Sequence, residues 1–133
     1  MTRRQTESRR GATVVEFAIT APIFFLFLMA AFEFGWLNVM RHTANNAAYQ
    51  AARHVIVPGA TSAEAVAKAQ SVLNAVGARN AKVTVSPSTI TTQTDQVTVT
   101  VEIPVNDNAL IVPRFSRNLT LRSSSTLRTE RAK

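Results

Sequence analysis

With no cysteine among its 133 residues, the chain has no thiol nucleophile, disulfide framework, Cys-based zinc site or iron–sulfur cluster. Two histidines remain, His42 and His54. They lie roughly a third of a turn out of phase on a helix of ~3.6 residues per turn. No carboxylate sits at metal-ligand spacing from either. Asp95, Glu102 and Asp107 fall in or beside one short segment, and a solvated strand end is the plain reading of that group. Four glycines are too few for most phosphate-cradling loops, and no nucleophile elbow or zinc motif occurs. These patterns predict a non-enzyme with no catalytic residue, metal, cofactor or small-molecule substrate.

The informative spacing lies near the N-terminus. Arg3, Arg4, Arg9 and Arg10 stand against Glu7, and Gly11 closes this basic stretch. Glu16 follows five residues later, directly before Phe17. From Phe17 to Phe32 there is no charge, and five of the seven phenylalanines lie in that run. Counted from Ala12 to Met40, the apolar segment exceeds the ~20 residues a bilayer requires. Glu16, Glu33 and Asn38 are costs within it, and Trp36 fits an interfacial aromatic anchor. This segment explains how a chain of net charge +7 has a mean hydropathy of +0.04. Arginines clustered before an apolar segment hold that end in the cytoplasm. A conventional signal peptide would show small residues after its apolar core, whereas Phe32, Glu33 and Phe34 follow Ala30 and Ala31 here.

The junction Arg9-Arg10-Gly11-Ala12-Thr13-Val14-Val15-Glu16-Phe17 resembles the type IV prepilin processing motif. The resemblance implies cutting after Gly11 by a membrane prepilin peptidase. Ala12 would become the N-terminus and Glu16 the fifth mature residue. It also implies a partner for Glu16: the free amine of a neighbouring subunit or its own. A helix start favours that carboxylate by roughly 0.3–1 kcal/mol. The wider stretch, with Val15-Glu16-Phe17-Ala18, Pro22 and Glu33-Phe34-Gly35, resembles the TadE/TadF-like proteins of the tight adherence (Flp pilus) system. Major Flp pilins are very short. The extra domain here makes the chain resemble a pseudopilin or minor pilin, with other pilins and the pilus assembly machinery as partners.

The elements that would position these residues follow from periodicity. Pro22 deprives the Ala18 carbonyl of its helix bond and predicts a kink. Ala44, Ala47, Ala48, Ala51, Ala52 and Val55 recur at helical spacing as a stripe of small residues, which predicts an intramolecular core. Asn45, Asn46, Gln50 and Arg53 fill the other side. A helix from Thr13 to Val57 would measure about 67 Å and protrude as a stalk, ended by Pro58-Gly59. Thr61 and Glu64 form a capping-box pair for a second helix with Val66, Ala69, Val72 or Leu73, and Val76 on one face. Gly77 would stop that helix, and a sheet would receive it. Lys82–Ser86, Gln96–Ile103 and Asn118–Arg128 alternate as strands, the last reading as an edge. Between the last two strands, Asn108 to Phe115 reads as packed interior rather than an exposed patch.

The expected fold is therefore α+β: a long N-terminal transmembrane helix continuing into a stalk, then one helix on a small antiparallel sheet of about three strands. Its parts are a basic leader (1–11), a transmembrane helix (12–40) and an exported head (41–133), with the stalk reaching about residue 57. The expected location is the bacterial inner membrane, with the N-terminus cytoplasmic and the head periplasmic or carried on a surface pilus. Six of the positive residues lie in the last twenty, but without a base-stacking platform they argue against nucleic acid. Asn118-Leu119-Thr120 is a frequent chance match to a glycosylation acceptor. The alternative function is an uncleaved membrane-anchored protein whose head binds a secretion or envelope component. A secreted enzyme released after Ala31 is a third reading.

Overall fold

A computed structural model describes the backbone of residues 3–91 and 93–130, and within that range the side chains from Gly11 onward. The chain runs α1 (Arg3–Val55), α2 (Ser62–Ala75), β1 (Lys82–Ser86), β2 (Gln96–Pro104), α3 (Val105–Asn108) and β3 (Thr120–Arg128). This is the expected α+β arrangement. The strands form one antiparallel sheet in the order β1-β2-β3.

α1 has 53 residues, about 80 Å at ~1.5 Å per residue, and it passes through two environments. Phe17, Phe24, Phe25, Phe27 and Phe32 are each more than half exposed. Among the described residues it is the one helix long and apolar enough to cross a membrane, within Gly11–Val55. A helix apolar all round and covered by no protein suits a bilayer solvent. The environment changes at Met40. Met40, Ala44, Ala47, Ala48, Ala51, Ala52 and Val55 are buried, so the small-residue stripe forms the head's core as expected. α1 lies across β2 and β3, with α2 beside it and over β1.

The α2 ends follow their sequence signals. The Thr61 side chain accepts from the Glu64 amide, and the Glu64 carboxylate accepts from the Thr61 amide. At the other end Gly77 has φ +70°, and the Ala78 and Gly77 amides close onto Leu73 and Asn74. That left-handed position is where glycine is favoured.

Two expectations for α2 need correction. Its buried face is Ala65, Ala69 and Leu73, while Val66 and Val76 are exposed. Its main support is α1 rather than the sheet. Both have one cause: alanines spaced four apart meet the alanine stripe of α1, and small residues let two helix backbones approach closely.

β2 carries the sheet's core. Val97, Val99, Val101 and Ile103 are fully buried, and Thr98, Thr100 and Glu102 alternate to the outer face. On that wet face the Thr98 and Thr126 hydroxyls pair at 2.8 Å, and Arg122 meets Glu102 at 3.6 Å. β3 is an edge, as predicted, but it begins at Thr120. Asn118 holds a left-handed φ of +64° and turns the chain into the strand. Its inward row is only partly apolar: Leu121 and Leu127 are half-buried, and Ser123 is buried between them. Ser123 donates its hydroxyl proton to the Asn45 side chain, which gives the buried serine its partner.

The packed-interior expectation for Asn108 to Phe115 is overturned. Leu110, Ile111, Val112 and Phe115 are all exposed. The segment is a loop held by its backbone and by Ser116, with Pro113 buried and the four large apolar side chains outside the core.

Candidate functional site

The expected site residues fall in two places. Gly11, Ala12, Glu16 and Phe17 are exposed on continuous helix. The Glu16 carboxylate makes no ion pair or hydrogen bond with any described residue. Its carbonyl accepts from the Thr20 hydroxyl at 2.9 Å. Pro22 sits inside the unbroken α1. The side chains of Arg3, Arg4, Arg9 and Arg10 lie outside the described residues. His42 and His54 are exposed on the stalk, about 18 Å apart along the helix. Asp95, Glu102 and Asp107 do not gather into a site. Glu102 pairs with Arg122, Asp107 accepts from the Asn80 amide group, and the Asp95 carbonyl accepts from Thr129. Among the described residues no three potential metal-ligating side chains cluster.

The constellation that the structure does assemble was not foreseen from sequence. Glu33, twenty-two residues into the exposed apolar part of α1, grips the loop between α3 and β3. Its carboxylate accepts the backbone amides of Arg114 at 3.1 Å, Phe115 at 3.0 Å and Ser116 at 2.7 Å. It also accepts the Ser116 hydroxyl, and Ser116 is buried. Successive amides turned toward one carboxylate form an anion-binding nest, here filled from within the chain. One turn further along α1, the Trp36 indole donates to the Asn108 carbonyl. Trp36 is thus partly an internal hydrogen-bond donor packed against the core, where sequence suggested only an interfacial anchor.

Asparagines brace the other end of the loop. Asn108 receives the Arg79 amide at 2.6 Å and donates to the Arg79 and Pro104 carbonyls, each at 2.8 Å. Asn106 and Asn118 exchange two hydrogen bonds at 3.0 and 3.1 Å, and Val105 donates to the Leu119 carbonyl at 2.9 Å. Phe115 stacks beside Phe34 with ring centroids 6.1 Å apart. The Glu33–Trp36 clasp encloses an apolar hollow of about 40 Å³ against Val105, Leu110 and Ile111. Small-molecule pockets run to roughly 300–1,000 Å³, so the hollow is a packing gap rather than a ligand site. The sequence signal for the clasp was a carboxylate left inside an apolar helix, which requires a partner. Sequence alone did not say that backbone amides eighty residues away supply it.

The family model described as TadE-like protein matches residues 11–53. That stretch includes Gly11, Glu16, Glu33 and Trp36, together with the buried alanines of the stalk. Among curated proteins and solved structures, nothing matches the chain.

Proposed function

We propose, for a chain that is TadE-like over residues 11–53, that it is a pseudopilin or minor pilin that takes part in assembling an adhesive tight adherence pilus. A prepilin peptidase cuts it after Gly11. The apolar part of α1 holds it in the inner membrane, with the basic leader on the cytoplasmic side and the head outside. It acts by helix packing and by pairing of Glu16, with other pilins and the assembly machinery as partners. TadE-like proteins are in general not enzymes, in keeping with this role.

The observation that carries the reading is the family match. Two structural features support it. Gly11 lies inside a helix, and a Cβ built there would touch nothing within 4 Å. An interior helical glycine costs roughly 0.5–1 kcal/mol relative to alanine. Neither packing nor backbone conformation accounts for the glycine, which fits a residue selected for recognition by another protein. The Glu16 carboxylate likewise has no partner among the described residues, which fits a group that pairs between subunits.

Two variants test the reading. Position 11 is exposed and a Cβ there meets nothing within 4 Å, so Gly11→Leu should leave membrane insertion intact while blocking processing. This is read as a persistent higher-mass band in cells with active prepilin peptidase. Glu16→Ala should insert and be processed but reduce surface pili, counted by electron microscopy. Unchanged piliation in Glu16→Ala would remove the pairing role.

A further inference from the structure

The clasp fixes where the head stands relative to the apolar helix. From Thr13 to Glu33 the helix rises about 30 Å, the thickness of a bilayer's hydrocarbon core. Glu33 therefore marks the outer boundary of a span that begins beside the proposed cleavage point, and the loop it holds lies at that boundary. Large apolar side chains are among those this loop turns outward. Leu110 is 68% exposed, Val112 69% and Phe115 52%. Phe115 adjoins the uncovered helix surface directly, since with Arg114 it borders a groove whose other wall is Pro22, Phe25, Leu26 and Met29, and Leu110 lines the hollow beside Phe32. Arg114 and Arg117 are exposed at the same place, and arginine stems can lie along apolar surface while their heads reach phosphate. Glu33 occupies the amides of residues 114–116, which lowers the cost of bringing loop backbone toward a medium without water.

We propose that the loop of residues 109–119 is a second membrane contact. It sets Leu110, Val112 and Phe115 into the outer leaflet of an anionic bilayer, beneath the headgroups, with the stems of Arg114 and Arg117 reaching up to the lipid phosphates. Glu33 is the residue that positions it. The contact fixes the tilt and rotation of the head on the membrane, which a single helix leaves free. The inference rests on the reading of α1 as a membrane span.

Because the chain has no cysteine, one introduced thiol reports one place. Full-length Val112→Cys carrying an environment-sensitive fluorophore is reconstituted into vesicles of phosphatidylethanolamine and phosphatidylglycerol, with brominated lipid as quencher. Phe24→Cys on the span and Ser124→Cys on the exposed face of β3 are the references. The expected result is blue-shifted emission and strong quenching at Val112→Cys, several-fold above Ser124→Cys and unchanged when the protein is diluted in lipid. Strong quenching at Phe24→Cys with none at Val112→Cys would overturn the loop contact and leave the anchor standing. No quenching at Phe24→Cys would overturn the span itself. A Val112→Cys signal that appears only at high protein density would assign the patch to a second copy of the chain and overturn the lipid contact. Adding Glu33→Ala should weaken the quenching at Val112→Cys, and full retention would remove Glu33 as the positioning residue.

Discussion

Glu33 shows how one side chain joins two parts of the chain that are remote in sequence. Its carboxylate takes three backbone amides and one hydroxyl from residues 114–116, so its loss strands donors near the buried Ser116. Glu33→Ala should lower head stability by about 1–3 kcal/mol, the range for leaving such groups unsatisfied. Glu33→Gln keeps one carbonyl acceptor and should lose less. Denaturant unfolding of the detergent-solubilised chain measures both, and equal stability in all three proteins would dismiss the clasp. Thr61→Ala removes the α2 cap and should cost about 1 kcal/mol, read in the same way. The Thr61–Glu64 pair was legible in sequence because a capping box is a local pattern. Glu33 was legible only as an unpaid charge, since its partners are amides whose direction depends on the fold around them.

At the scale of elements, α1 is one helix under two packing regimes. From Val14 to Val39 it offers large apolar side chains to its surroundings, and from Met40 it buries mostly small ones. Periodicity revealed both halves, along with the strict alternation of β2 and its buried valines. It failed where two solutions had the same period. Ala69 and Leu73 face inward as expected, but Val66 and the C-cap residue Val76 are exposed and Ala65 is buried instead, because the partner surface is itself alanine and rewards close approach. The loop of residues 109–119 misled for a related reason: composition says apolar, and only the fold says which side is covered. Ala51→Leu should therefore destabilise the head by about 1–3 kcal/mol through overpacking. Ala31→Leu, on the exposed stretch, should leave unfolding unchanged. Comparable losses at both sites would contradict the division of α1 at Met40.

At the scale of the molecule, a chain of charge +7 with a positive mean hydropathy resolves into separate parts. A basic stretch of four arginines against Glu7 lies at the start of α1, its apolar part follows, and the same helix continues into the head without a break. In the proposed account the leader sets orientation and is discarded, while the helix is kept for the membrane and for the fibre. That sequence of events separates a pseudopilin from an uncleaved anchored protein and from a secreted domain freed after Ala31. The most direct measurement is mass spectrometry of the N-terminal peptide of membrane-extracted protein from cells with active prepilin peptidase. The account predicts a chain that begins at Ala12. A chain that begins at Met1 or Thr2 in those cells would contradict it.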